Sequence, residues 1–517
     1  MAVAPVVKAS FCCRLPLKLW NLFFRVVGLS VCSPHSPCCF YAINLSGVES
    51  ARLLTGQLPF FRTYLAFKDE DQLSYQPGDS VSIFVQNDEA DVSWLLKRMN
   101  GDFTPDQMIM LKQGSCRRAP SIALPLETPV TPRLLLRHYI EIHSTASRKT
   151  TRILAGFCAN EEEKALLLRL SGREGMKLYD ALIKATSATL MDLLETFPSC
   201  RPSLEAVLEL APPLARRPYS LVGECRKGSA QEISFAFTMI DFTRELETSP
   251  ISVDGVTFKR YRRRTGVATG HLRRLWDEKL STGSSPGLFV SLFPNHNGFS
   301  HPSNVSDPLI LICAGTGVAP FIGFLQLRRR LRESALAAGE SWLIFGCRDP
   351  NFDVLFADEL ADFLEDGTLT HLCLCFSRFT GDLPICLPEI IRSKAYVPPG
   401  CRYVQDCITF PNKPAVSIDD STSISKISDR LADVHLSTPA VSSPSRLLHL
   451  VCNLNGHIRV CGDAKGMAPA VASAWETAFA SWLESQEAAE LTSGPKTGAE
   501  FLAHLRKERR YVEDVWW

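Results

Sequence analysis

The stretch best suited to hold an anion is Gly315-Thr316-Gly317-Val318-Ala319-Pro320. Gly315 and Gly317 permit a tight turn and close approach of backbone to a ligand, and Pro320 suits the first turn of a helix, where a missing N–H costs nothing. Such a turn aims amides and the positive end of a helix dipole at an anion, usually a phosphate. A purely structural strand-to-helix turn would read the same way. Thr265-Gly266-Val267-Ala268-Thr269-Gly270-His271 is a second run of small residues entering a helix, and so a second candidate cradle. The basic run Lys259 to Arg264 before it reads as a solvated loop or a dock for an acidic group. Ser220, Cys461 and the pair Trp516-Trp517 complete the set. Taken singly, a strand hydroxyl, a buried thiol and a packing anchor account for them.

These residues need elements to position them. Leu309-Ile310-Leu311-Ile312 is a continuous apolar run, the pattern of a strand buried on both faces. Phe321, Phe324, Leu325 and Leu331 then recur at helical spacing. Strand and helix patterns alternate onward: Trp342 to Gly346, Val354 to Leu364, Leu369 to Phe376, His457 to Asp463 and Met467 to Trp482. This rhythm predicts a parallel sheet with helices on both faces and a ligand at the carboxyl ends of its strands. Earlier, Pro59 to Ala66, Val81 to Val85 and Ile233 to Ile240 read as strands of an antiparallel barrel or sheet. Roughly between residues 89 and 214, helix-spaced apolar residues predict a helical insertion, with Thr131 and Pro132 as one start signal and the polar residues as solvated faces.

With 517 residues the chain is long enough for two to four domains. Lys plus Arg number 56 against 55 Asp plus Glu, so no global charge argues for a nucleic-acid partner. No membrane association is expected. The 18 cysteines are scattered without a recurring CxxC of zinc spacing, which favours reduced thiols in a cytoplasmic protein. Residues 1–46, with Lys8, Arg14 and Lys18 ahead of an apolar run, read as a divergent leader, either targeting or disordered.

In order along the chain stand Arg217-Pro218-Tyr219-Ser220, Gly266-Val267-Ala268-Thr269, Gly315 to Pro320, Phe345-Gly346-Cys347-Arg348, Ser377-Arg378, Tyr403-Val404-Gln405, Cys461-Gly462-Asp463-Ala464 and an aromatic end. The ordered set resembles the diflavin, cytochrome P450 reductase-like family of flavin–pyridine nucleotide reductases. Phe321 to Gln326, Leu369 to Leu372, Tyr403 to Asp406, Asn455 to Ile458 and Phe197 to Cys200 are similar to the branch that serves cobalamin-dependent methionine synthase.

The resemblance implies a fold: an antiparallel β-barrel FAD-binding domain over 47–305 carrying a helical connecting insertion, then a parallel-sheet α/β NADP-binding domain over 306–517, of ferredoxin–NADP reductase type. It implies hydride passage from NADPH to FAD, with methionine synthase as partner. Arg217 would neutralise the FAD diphosphate together with the turn Gly266, Val267, Ala268 and Thr269, Tyr219 would lie along the flavin, and Ser220 would hydrogen-bond near its N5. Gly315, Thr316, Gly317 and Asp463 would face the nicotinamide nucleotide. Cys461 would sit beside the nicotinamide, Asp514 would stabilise its developing positive charge, and Trp516 would cover the flavin. Ser377, Arg378, Arg402, Tyr403 and Gln405 match the positions that read a 2′-phosphate, which favours NADPH over NADH.

Departures accompany these matches. Cys401 stands where P450 reductase-like members carry lysine, with Arg402 beside it as substitute; Leu221-Val222-Gly223 replaces a small-residue run; and Trp517 ends a chain where Trp-Ser is common. Full-length members also carry an N-terminal FMN domain, and no flavodoxin-like phosphate loop precedes Gly47, so electrons are expected to need a separate FMN domain or another acceptor. The alternatives are a single-flavin diaphorase or ferredoxin–NADP reductase-like enzyme, and a catalytically impaired scaffold for methionine synthase.

Overall fold

The computed structural model describes residues 6–9, 40–50, 60–66, 75–101, 103–113, 129–223, 232–238, 240, 251–253, 256–258, 265–282, 287–293, 298–333, 338–409, 444–484 and 494–516. The expectations for the leader's remainder, for the basic run 259–264 and for Trp517 lie outside the described residues. The chain forms two compact units that interleave in sequence: Met1–Val48, Val81–Tyr219 and Thr238–Leu292 in the first, and Glu49–Ser80, Ser220–Phe237 and Phe293–Trp517 in the second.

The first unit is mainly helical. Glu89–Arg98, Pro132–His138, Glu161–Ser171 and Leu190–Thr196 fall where the apolar spacing predicts them. Thr131 Oγ1 accepts the Leu134 amide and Pro132 opens the helix behind it, so the predicted start signal works through satisfied amides. Arg148–Ala155, Met176–Tyr179 and Leu204–Leu210 are additional. Arg148–Ala155 escapes an apolar pattern because its buried side uses Thr150 and Thr151 beside Leu154 and Ala155. Not every polar residue of this region is solvated, as the sequence pattern suggests. Asp91 is buried against His143 Nε2 at 2.8 Å, and Asn87 Nδ2 donates to the carbonyls of Leu136 and Ile140, both at 2.6 Å. These hydrogen bonds offset part of the cost of burial, while Asn87 Oδ1 and Asp91 Oδ1 stay buried without a hydrogen-bond partner among the described residues. Gly287–Phe293 pairs antiparallel with Phe40–Ser50 in this unit, from Gly287 opposite Asn44 to Ser291 opposite Phe40.

The second unit is built on a five-stranded sheet: β1 (Leu309–Ala314), β2 (Ser341–Cys347), β3 (His371–Phe376), β4 (His457–Asp463) and β5 (Tyr511–Trp516). All pairings are parallel and the order is β3-β2-β1-β4-β5. Alternation along β1 explains its unbroken apolar run. Leu309, Leu311 and Cys313 join one core with Phe321, Phe324 and Leu360, while Ile310 and Ile312 join the opposite core with Trp475, Phe479 and Leu502. The first core is supplied by α1 (Ala319–Glu333) and α2 (Ala357–Glu365), the second by α3 (Met467–Leu483) and α4 (Gly498–Lys507). Each fully buried leucine or isoleucine contributes about 1.5–3 kcal/mol. The helix predicted from Val354 begins later, at Ala357, because Phe356 takes a left-handed φ of 57° ahead of it.

Within the same unit, Leu221 and Val222 pair antiparallel with Phe235 and Ser234. No helix among the described residues is long and apolar enough to cross a membrane.

Candidate functional site

The strand order reverses at β1, whose two neighbours are β2 and β4. In an open parallel sheet this reversal leaves a crevice outside the carboxyl ends of the strands. Gly315–Val318 forms a single 3₁₀ turn there, and α1 starts at Ala319 with Pro320 buried in its first turn. The two glycines serve different ends. Gly315 has φ +55° and nothing within 4 Å of where a Cβ would stand, so its side is open to a ligand. Gly317 is a packing glycine: a Cβ would come within 2.2 Å of the Cys461 carbonyl oxygen. Thr316, between them, is half-buried.

Cys313, Cys461 and Asp514 form one row across β1, β4 and β5, since Cys313 registers with Cys461 and Cys461 with Asp514. Ser220, 294 residues from Asp514, donates its hydroxyl hydrogen to Asp514 Oδ2 at 2.6 Å. Burial pushes the Asp514 carboxyl above the ordinary range, and the Ser220 hydrogen bond opposes that shift. The Cys461 thiol is fully buried, and burial, followed by the nearby Asp514 and Cys313, raises it well above a free thiol. It is therefore a small neutral group in the wall, beside a partly desolvated carboxylate whose charge is held by one hydroxyl. Such a carboxylate can stabilise positive charge that develops near it in a water-poor site.

Trp516, on β5, is 41% exposed, and its carbonyl accepts the Ala464 amide at 2.9 Å. Asp463 is exposed but engaged: its Oδ2 accepts the amides of Gly466 at 2.5 Å and Met467 at 3.4 Å, which lowers its pKa. It closes the turn into α3.

At the neighbouring end of β2 and β3, the Ser377 and Arg378 amides donate to the carbonyls of Cys347 and Arg348 at 3.1 and 3.0 Å. The amides of Arg402 and Tyr403 both donate to Asp406 Oδ2 at 2.9 Å, folding the loop that carries Gln405. Gly346 keeps β2 close to this loop, because a Cβ would lie 2.9 Å from Val404 Cγ1. Arg378, Arg402 and Tyr403 are exposed, Tyr403 by 54%. Exposed guanidinium groups and a phenol suit a phosphate. The role of Asp406 in ordering the loop depends on backbone geometry that spacing does not reveal.

The remaining candidates belong to the first unit. Arg217 Nη2 donates to Glu141 Oε2 at 2.9 Å, and Nη1 donates to the Ala215 carbonyl at 2.7 Å. Glu141 carried no signal in the sequence, standing 76 residues from its partner. The Tyr219 phenol is pushed up to about 12 by burial, against a smaller opposing effect of Arg217. Val267–Thr282 is the helix predicted behind Gly266. Gly266 donates its amide to the Ile240 carbonyl at 2.8 Å, and Thr269 Oγ1 accepts the Ile240 amide at 3.3 Å. Ala268 and Thr269 are buried in its first turn and Val267 half-buried. Helix starts leave amides without intrahelical partners, which fits an anion.

Comparison with known proteins bears on which ligands these sites take. Residues 60–257 match the FAD binding domain, and residues 311–375 match the oxidoreductase NAD-binding domain. Methionine synthase reductase of Homo sapiens is 30% identical over 460 residues, 86% of this chain and 56% of that protein. That of Mus musculus is 30% identical over 459 residues, 86% of this chain and 57% of that protein. The chain fits the diflavin reductase family. NADPH–cytochrome P450 reductase of Homo sapiens, 30% identical over 312 residues, covers 60% of this chain, with 43% of its own length matched. The chain thus spans little more than half the length of the methionine synthase reductases it matches. As a diflavin reductase homologue it carries both an FAD-binding and an NAD(P)-binding domain, and the five-stranded parallel sheet fits the latter.

Proposed function

We propose that this chain is an NADPH-dependent flavoprotein reductase module whose physiological task is the reductive reactivation of cobalamin-dependent methionine synthase. The observation that carries the reading is the hydrogen bond from Ser220 to Asp514 in register with Cys461, at the switch point of the parallel sheet. When bound, NADPH and FAD supply the hydride chemistry. The protein's residues bind and orient. The open side of Gly315, with Thr316 and Gly317 shaping the turn, takes the nucleotide; Ser377, Arg378, Arg402, Tyr403 and Gln405 take its 2′-phosphate. Asp514 holds negative charge near the nicotinamide, the Ser220 hydrogen bond favours the ionised form of that carboxyl, Cys461 leaves room for close approach, and Trp516 shields the flavin. Arg217, Tyr219 and the turn Gly266 to Thr269 hold FAD, and Asp463 and Trp517 complete the cofactor contacts.

In this reading residues 47–305 form the FAD domain, with Gly287–Phe293 as one strand of its antiparallel barrel and the helices of about 89–214 as its connecting insertion. Residues 306–517 form the NADP domain. The methionine synthase assignment draws on the names of the relatives at 30% identity. Abundant thiols without disulfides among the described residues accord with a cytoplasmic location.

Reconstitution tests this. The purified chain is expected to retain FAD through desalting, and NADPH is expected to bleach the flavin absorbance under anaerobic conditions. A chain that retains no flavin refutes the reading. One observation favours a second reading, a scaffold for methionine synthase with weak flavin affinity: the Arg217 guanidinium is already paired with Glu141. Methionine synthase capture by a flavin-free chain would support it.

A further inference from the structure

Cys373, Cys375, Cys401 and Cys407 gather in the core on one face of the parallel sheet, beside Trp342 and Leu447. Cys373 and Cys375 are two residues apart on β3, so the strand's alternation turns both to that face. The other two arrive on the loop folded by Asp406. Its carboxylate holds the Arg402 and Tyr403 amides, and the short helix Asp406–Thr409 that follows lays Cys407 against β3. Cys407 Sγ comes to rest 3.2 Å from Cys375 Sγ.

A disulfide places its sulfurs about 2.05 Å apart, so side-chain rotation and a small shift of the loop would close the bond. A second feature distinguishes this pair from thiols that merely pack. Cys407, 9% exposed, lines a narrow cleft with Trp342, Cys373, Tyr396 and Pro398. Cys375 lies fully buried behind it, in the place of a resolving thiol.

We propose that Cys375 and Cys407 are a dithiol that a hydroperoxide closes to a reversible disulfide, tying the end of β3 to the loop that bears Arg402, Tyr403 and Gln405. The Cys407 sulfur attacks a peroxide oxygen, breaking the O–O bond; it becomes a sulfenic acid, and with hydrogen peroxide one water leaves. The Cys375 sulfur then displaces the sulfenic hydroxyl, forming the S–S bond and releasing a second water with the proton that Cys375 loses. The two thiols give up two electrons and the peroxide accepts them. The hydrogen bond with Cys375 and burial, against an opposing hydrogen bond with Cys401, hold Cys407 in the thiol form, so closure is slow at neutrality and faster at higher pH. A consequence rests on the 2′-phosphate reading given above: closing the bond shifts the loop against Ser377 and Arg378 and weakens nucleotide binding.

The full-length chain is treated with hydrogen peroxide, its remaining thiols are alkylated after denaturation, and peptides are mapped by mass spectrometry without reductant. Expected is a peptide pair joining Cys375 to Cys407, lighter than the two reduced peptides by two hydrogens and released by dithiothreitol. It persists in Cys401→Ser and is lost in Cys375→Ser. A link from Cys401 to Cys407 in its place, or oxidation of the wild-type chain without any Cys375–Cys407 link, overturns the proposal. Titration with 2′,5′-ADP before and after oxidation is expected to show weaker binding to the oxidised form. Equal affinity overturns the coupling, whereas no binding to the reduced form refutes the 2′-phosphate reading and leaves the cross-link result standing by itself.

Discussion

Gly317 presses against β4 so closely that a Cβ on it would sit 2.2 Å from the carbonyl oxygen of Cys461, while two residues earlier Gly315 faces open space at φ +55°. The glycines of one turn are thus required for unlike reasons. Gly317→Ala drives a methyl into backbone that cannot yield, and overpacking of this kind costs about 1–3 kcal/mol. Gly315→Ala meets nothing and bears only the left-handed conformation, about 1–2 kcal/mol. Denaturant titration of the two variants is expected to show lower stability for both. Gly317→Ala is also expected to weaken nucleotide binding through a displaced turn, and wild-type stability and affinity in that variant would contradict the packing argument.

Ser220 and Asp514 allow a sharper test, because the sign of a pH effect follows from their geometry. Burial raises the Asp514 carboxyl and the Ser220 hydrogen bond lowers it, so removing the hydroxyl raises it further. If the ionised carboxylate is the useful form, flavin reduction by NADPH slows as pH falls through the Asp514 pKa. In Ser220→Ala that acid limb moves to higher pH. Asp514→Asn is expected to slow reduction by about 10²-fold, the scale of losing one preorganised electrostatic partner, and to flatten the limb. Stopped-flow absorbance across pH reads both effects, and an unmoved limb in Ser220→Ala would count against the arrangement.

What the sequence revealed and what it hid divide along one physical line. The run Leu309 to Ile312 was readable because both faces of β1 are buried, and Phe321, Phe324 and Leu325 were readable because one helix face packs on it. Local periodicity reports local burial. Arg148–Ala155 was not readable, since it buries two threonines in place of aliphatic side chains. Nor could spacing pair Ser220 with Asp514 across 294 residues, or Arg217 with Glu141 across 76. The roles of Ser220 and Asp514 were named through a resemblance in ordered motifs. Their hydrogen bond, and the use of Asp463 and Asp406 as caps for backbone amides, required the fold.

Two histidines of the first unit predict how it responds to acid. Burial, followed by Arg274, Arg137 and His138, lowers His271 from 6.5 to about 3. Burial and Arg137, with Glu89 opposing, lower His138 from 6.5 to about 4. Below pH 6.5 the unfolded chain takes up protons that the folded chain refuses, so stability is complete above that value and falls as pH drops toward the folded pKa. For His271, only 5% exposed, the slope approaches about 1.4 kcal/mol per pH unit. Denaturation midpoints are expected to fall between pH 7 and pH 5, and less steeply in His271→Gln. His301 and His457 of the second unit, each lowered to about 4, act in the same direction.

Coenzyme choice can be tested at Arg378 and Arg402, whose side chains are exposed beside a loop whose backbone is fixed by Asp406. A guanidinium that binds a phosphate makes charge-assisted hydrogen bonds, each contributing about 1.5–3 kcal/mol, and every 1.4 kcal/mol is about tenfold in affinity. Arg402→Ala is therefore expected to raise the KM for NADPH by about tenfold or more while leaving that for NADH nearly unchanged, and Arg378→Ala to behave alike. Asp406→Asn keeps both guanidinium groups but weakens the acceptor that orders the loop, so its effect on NADPH is expected to be smaller and in the same direction. Steady-state diaphorase assays with both coenzymes distinguish the outcomes. A parallel loss with NADPH and NADH would assign these arginines to the architecture of the loop, and an unchanged NADPH KM would remove them from the 2′-phosphate site.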